Sequence, residues 1–177
     1  MFTRNTELEW LLANYRDLQA LLEELNIEAR SVASERPGDE DEIYSQLTKR
    51  NIDGMPFATF RVSDRTAAAV IDRYKTSMRI TEEIEKIQQD ILLVSAIIMK
   101  IDIGVRALHR QERLLIEQKY FHYKTWKVIA QELKCSPRAL NCCRDRALQK
   151  MITIVQINLE DCRKIKSMLE WMREDEK

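Results

Sequence analysis

Between residues 80 and 108, branched apolar side chains recur at Ile80, Ile84, Ile87, Ile91, Val94, Ile98, Ile101, Val105 and Leu108, in unbroken steps of three and four. That spacing keeps one stripe of a 3.6-residue helix apolar for about eight turns. A strand, whose side chains alternate with period two, would scatter the same residues over both faces. The segment is therefore a long helix. Its stripe requires another helix alongside, either from this chain or from a second copy as in a coiled coil. The longest apolar run inside it, residues 91–99, falls well short of the roughly 20 residues that span a bilayer.

The rest of the chain repeats the pattern in shorter lengths. Leu8, Leu11, Tyr15, Leu18, Leu22 and Leu25 form a stripe that predicts a helix from Thr6 to Ala33. Pro37-Gly38 followed by four acids, residues 39–42, ends it in a loop. A short helical turn over 41–50 and an irregular connection over 51–64 are expected next, with Ser63 or Asp64 capping the long helix. Met151, Val155, Cys162, Ile165, Leu169 and Met172 make a last stripe, interrupted by Asn158. An asparagine there either fixes register or sits at a solvent-facing edge. Only three glycines and three prolines in 177 residues leave few breakers, and the expectation is an all-α protein.

Chemistry-bearing patterns are scarce. Cys135, Cys142, Cys143 and Cys162 form no C-x-x-C pair, and His109 and His122 add no metal-ligand spacing. No Ser-His-Asp arrangement and no glycine-rich phosphate loop is visible. The chain is expected to be no enzyme and to need no metal or cofactor. Arg4, Glu7 and Glu9 interrupt the first apolar positions, so no signal peptide is expected either.

Charge divides the chain sharply although it sums to zero. Residues 1–105 hold 13 Lys/Arg against 19 Asp/Glu, residues 106–150 hold 11 against 4, and residues 151–177 hold 5 against 6. One basic segment therefore carries any attraction to nucleic acid. Within it, residues 110–121 read as a helix with Leu114, Leu115, Gln118 and Phe121 near one face. Residues 125–133 read as a second, capped by Thr125, with Val128, Ile129 and Leu133 as its apolar side. Ser136 caps a third helix and Pro137 takes its first position, where a missing N–H costs nothing. Leu140, Cys143, Ala147, Leu148 and Met151 point inward; Arg138, Asn141, Arg144 and Asp145 point outward. The small Ala130 lies where the second and third helices must cross. This is the geometry of a helix-turn-helix, whose last helix enters a major groove. Trp126 either packs the core of that unit or touches a sugar-phosphate backbone, and Tyr120, Phe121 and Tyr123 read mainly as packing.

The run 112–151, from "ERLLIEQKYF" through "WKVIAQEL" to the serine-capped helix ending "RALQKM", resembles region four of primary sigma factors. The resemblance implies that DNA bases are read from the first turns of the third helix. It assigns Arg138, Ala139, Asn141 and Cys142 as base readers and Lys124, Lys127, Ser136, Arg144, Arg146 and Lys150 as phosphate contacts. The usual polar readers are thinned here by Pro137, Ala139 and Cys142. The order of a start "VSDRTAAAVIDRYK" at 62–75, a long helix and this segment is similar to small phage regulators of the ArpU and RinA type. That likeness implies a sequence-specific DNA-binding transcription regulator, an activator of phage late genes acting with host RNA polymerase.

The expected organisation is a helical hairpin or oligomerisation region over 1–105 with a loop at 36–63, a DNA-binding helix-turn-helix over 106–151, and a C-terminal helix over 152–177. The expected partners are double-stranded DNA and RNA polymerase, with no membrane, and a homo-oligomer formed through the 80–108 seam. The expected location is the cytoplasm of a bacterial or phage-infected cell. Two rival functions fit the same pattern: a small terminase subunit marking a packaging site, and an adaptor binding polymerase or sigma factor.

Overall fold

The computed structural model describes residues 4–35 and 64–175. Among them are seven α-helices and a π-helical turn, with no strand, so the fold is all-α. In chain order these are α1 (Arg4–Ala13), α2 (Tyr15–Ser34), α3 (Asp64–Arg106), α4 (Arg110–Ile116), the π turn (Glu117–Phe121), α5 (Trp126–Glu132), α6 (Pro137–Val155) and α7 (Leu159–Asp175). The loop expected over 36–63, its helical turn and the Ser63 cap lie outside the described residues.

The helix expected from Thr6 to Ala33 is α1 and α2, separated by Asn14 alone. Backbone bonds bridge the interruption, Asn14 to Trp10 at 3.0 Å and Leu18 to Asn14 at 2.9 Å. The Asn14 amide also donates to the Trp10 carbonyl at 2.7 Å, a side-chain competitor for a helical acceptor.

Two compact units result: Met1–Asn26 together with Asp90–Lys177, and Ile27–Gln89. The first of these units joins segments far apart in the chain. The reason lies in what covers the core. Leu8, Leu11, Leu12 and Leu18 are fully buried in the first unit, as are Leu115, Ile116, Ile129, Met151, Ile165 and Leu169. Helix α1 packs on α6, α7 and the π turn, so the first turns of the chain close the core of the basic segment. Burying side chains of this size contributes roughly 1.5–3 kcal/mol each. The second unit holds the remainder of α2 and the start of α3, with Ile80 and Ile87 buried.

The long seam needs two corrections. Val94, Ile101, Val105 and Leu108 are buried within this one chain, so that part of the seam is filled by the chain's own core and offers no surface to a second copy. Ile97, absent from the expected stripe, is buried, while Ile84, Ile91 and Ile98 are only half-buried. A straight helix drifts about 20° per heptad, which carries the buried line off the strict three-four pattern. Near the end of α3, Gly104 allows a close crossing with α6: a Cβ there would lie 2.8 Å from Val155 Cγ2.

Polar contacts lock the first unit. The buried carboxylate of Glu7 pairs with Lys166 of α7, whose ammonium stands 4.9 Å over the Trp10 ring. The Tyr15 hydroxyl donates to Asp102 at 2.7 Å, tying α2 to α3. Burial, and then the neighbouring Asp102 carboxylate, push the Tyr15 phenol up to about 12.

Helix α6 runs to Val155, so the expected boundary at 151/152 falls inside it. It ends where Gln156 takes a left-handed conformation, φ 43° and ψ 59°. The exposed Asn158 then accepts from the Glu160 backbone N–H at 3.1 Å, capping α7. Asn158 interrupts the C-terminal stripe because it starts a helix there.

Candidate nucleic-acid interface

Within the basic segment, α4 follows His109, whose extended backbone N–H donates to Glu112 at 3.3 Å. Helix α4 runs only seven residues before the chain widens into the π turn, with His122 N–H donating to the Glu117 carbonyl at 3.0 Å. The extra residue in this turn distributes three aromatic rings. Tyr120 is buried, and its hydroxyl donates to Glu9 at 3.1 Å. Burial, and then the Glu9 carboxylate, raise the Tyr120 phenol well above its ordinary range. Phe121 stacks on Tyr15 with centroids 4.5 Å apart. Tyr123, at φ 52°, donates to the Ala13 carbonyl at 3.4 Å and lies under Arg16. Tyr120 and Phe121 are packing residues, as expected, whereas the ring of Tyr123 is half exposed.

Helix α5 starts after Thr125, which has the extended backbone of a cap but makes no side-chain capping bond. Ile129 is its fully buried anchor; Leu133 is half-buried and Val128 exposed, so the apolar side expected here is narrower. The corner is formed by Lys134 at φ 49°, with Cys135 N–H donating back to the Ala130 carbonyl at 3.1 Å. Ser136 Oγ then accepts from Ala139 N–H at 3.3 Å and Pro137 takes the first helical position. The inward side of α6 is as expected, with Leu140, Ala147, Leu148 and Met151 buried and Cys143 half-buried.

The four expected base readers, Arg138, Ala139, Asn141 and Cys142, are all exposed along the first turns of α6. The six expected phosphate contacts divide into two groups. Ser136, Lys127 and Arg146 are exposed, and neither cation has a carboxylate partner among the described residues. The other three are held from within. Lys124 pairs with both oxygens of Glu132 at 2.7 Å. Arg144 donates to Asp145 at 3.0 and 2.8 Å, lies 3.8 Å from Glu9, and sits 5.9 Å over the Trp126 ring. Lys150 donates to both oxygens of Glu112 at 2.8 Å. The Glu112 side chain is 5% exposed. Burial opposes its ionisation, but Lys150 and the His109 N–H together hold the carboxyl below its usual range.

Sequence reasoning missed Lys134. It stands exposed at the apex of the corner, one residue before the exposed Cys135 and two before the cap, with no carboxylate partner among the described residues. Its signal was its place just ahead of Cys-Ser-Pro. Lys119 was also missed; its ammonium lies 5.1 Å over the Trp126 ring.

Trp126 is half-buried at the wall of a cleft of about 520 Å³. Lys127, Ala130 and Gln131 of α5 continue that wall, facing Pro137, Leu140 and Asn141 of α6. The small Ala130 leaves this space between the two helices. All four cysteines are free; burial raises the thiols of Cys143 and Cys162, the latter to about 11, so neither is tuned as a nucleophile. Among the described residues no helix is long and apolar enough to cross a membrane.

No family model, no curated protein and no solved structure matches this chain.

Proposed function

We propose that this chain is a sequence-specific, double-stranded DNA-binding transcription regulator that reads bases with the first turns of α6. One observation carries the reading: Arg138, Asn141 and Cys142 stand exposed on a serine-capped helix, flanked by Lys127, Lys134 and Arg146, cations that no carboxylate neutralises among the described residues. In the major groove Arg138 matches the two acceptors of guanine, Asn141 matches the acceptor and donor of adenine, and Ala139 and Cys142 offer small surfaces to a thymine methyl. The three free cations contact phosphates, and the Ser136 hydroxyl, whose oxygen already accepts from Ala139, still has a proton to donate to one. Arg144, near Glu9, and Lys150, paired with Glu112, act as positioning residues that hold the reading helix, while Lys124 braces α5 through Glu132. The resemblance to sigma region four and to phage regulators supports placing this activity upstream of late promoters, with host RNA polymerase as partner.

Selection from a pool of random duplexes, followed by titration of the selected site at several salt concentrations, tests the reading. Three phosphate contacts at about 0.9 counterions each give a log–log salt slope near −3. Salt-independent binding, or failure to enrich any duplex, would end the proposal.

A further inference from the structure

We propose that the cleft between α4 and α6 is a site of reversible S-thiolation, at which Cys142 takes up a small anionic thiol from its disulfide. Three of the four cysteines, Cys135, Cys142 and Cys143, line this one cleft of about 320 Å³. The buried Leu115 and Leu140 and the exposed Arg146 line it with them. The three thiols are not equivalent. Cys143 is half-buried and burial raises its thiol, which holds it back from thiolate chemistry. Cys135 is exposed, but its Sγ donates to the Leu133 carbonyl at 3.2 Å. Cys142 is exposed and makes no hydrogen bond through its thiol among the described residues.

Charge selects the reagent. Helix α6 carries Arg138 one turn before Cys142 and Arg146 one turn after it, on the same face. Both arginines are exposed, with no carboxylate partner among the described residues. Cations on either side draw in a disulfide that bears carboxylates and repel a cationic one. The Cys142 thiolate attacks one sulfur of that disulfide. The S–S bond breaks, and its electron pair leaves with the other sulfur, which takes up the proton that Cys142 lost. Cys142 is thereby oxidised to a mixed disulfide and one free thiol is released; excess free thiol reverses the exchange. Cys143 does not resolve the mixed disulfide, because neighbours on a helix point about 100° apart. The consequence for DNA rests on the proposed base reading. The mixed disulfide sets carboxylates between Arg138 and Arg146 and fills the face that Cys142 lays against the groove, so the thiol state of the cleft switches DNA binding.

The test incubates the full chain with oxidised glutathione, an anionic disulfide, and separately with cystamine, a cationic one. Each rate is divided by that disulfide's rate with free cysteine. Intact mass and peptide mapping should find the first glutathionyl group at Cys142, gained about tenfold faster than the cystamine adduct at low salt. That preference should fade as salt rises and shrink in Arg146→Ala. Cys142→Ala should gain no group on the same timescale, and dithiothreitol should return the wild type to its original mass. On the selected duplex the modified chain should bind at least about tenfold more weakly, and dithiothreitol should restore its affinity. Addition at Cys135 or Cys143 ahead of Cys142, an internal disulfide with no added thiol, or equal normalised rates for the two disulfides overturns the proposal. So does a modified chain that binds the selected duplex as tightly as the unmodified one. An unmodified chain that binds no duplex sinks the base-reading proposal instead, and the mass measurement still decides the thiol site.

Discussion

Helix α6 lies between two corners built the same way. At each, a non-glycine residue turns left-handed, Lys134 at φ 49° and Gln156 at φ 43°, and two residues later a polar side chain, Ser136 or Asn158, accepts from the next helix's backbone. Their surroundings differ. Every residue from Lys134 to Ala139 is exposed, and Lys134 and Arg138 have no carboxylate partner among the described residues. Beyond the second corner, Cys162, Ile165 and Leu169 bury completely in the core. Capping chemistry therefore says where a chain turns; the use of the turn depends on what the following helix leaves outside. The first corner presents cations and hydrogen-bonding groups, whereas the second docks a helix.

The most severe way to break the comparison is to remove what both corners share. Met151, fully buried between them, anchors α6. Met151→Asp places a carboxylate in that core, and stability is expected to fall by about 4 kcal/mol or more, read from urea unfolding. A small loss would mean that the two corners stand on separate supports.

Lys150 is the next test, because it was expected to contact phosphate and instead neutralises a buried carboxylate. Lys150→Met leaves Glu112 unpaired, at a cost of about 2 kcal/mol at neutral pH, reduced from the fully buried case because Lys150 itself is partly exposed. The pH dependence has a definite sign. Glu112 is held below its ordinary range in the folded chain, so its contribution is present above an unfolded value near 4.3 and is lost as pH falls through the lower folded value. The wild type should therefore lose this stability in acid, and the variant's deficit should shrink there. A variant of unchanged stability that binds every duplex more weakly would return Lys150 to the phosphate backbone.

These contacts mark what the sequence could and could not reveal. The Ser136–Pro137 start of α6 was legible because capping is local: one side chain, one backbone N–H and a proline position determine it. The inward residues of α6 were legible from period alone. Asn158 was read as an interruption in a stripe because a cap and a polar core position look alike until the helix ends are known. Ile97 was missed because several isoleucines in succession let more than one three-four path through α3. The pairing of Lys150 with Glu112, 38 residues apart, and of Arg144 with Glu9 depends on tertiary approach, which no local pattern encodes. Charge counting placed the basic segment correctly but could not distinguish cations already paired inside it from those left free.

Arg138→Ala sharpens the contrast between the corners at a smaller scale. On the proposed reading, in which Arg138 bonds guanine, its removal is expected to lower discrimination for the selected site by about 1–3 kcal/mol while sparing random duplexes. Its counterpart beyond the second corner is the exposed Arg163 of α7. Arg163→Ala should leave both site preference and affinity unchanged in the same titration. Equal losses from the two would make the attraction one of general charge, with no reading helix.

The finest test uses the left-handed residues themselves. A non-glycine residue in this region carries a conformational cost that glycine avoids, partly offset by glycine's greater freedom in the unfolded chain. Lys134→Gly and Gln156→Gly are each expected to raise stability by roughly 0.5 kcal/mol, seen as a small upward shift of the unfolding midpoint. On stability the corners should be indistinguishable. On DNA the proposed function makes them part: Lys134→Gly removes a free cation beside the proposed reading helix, so it should weaken all duplexes alike and reduce the salt slope by about one. Gln156→Gly should leave the slope untouched. If Lys134→Gly stabilises the chain and does not change the slope, Lys134 is only the residue that turns the corner, and the proposed phosphate contacts are left to Lys127 and Arg146.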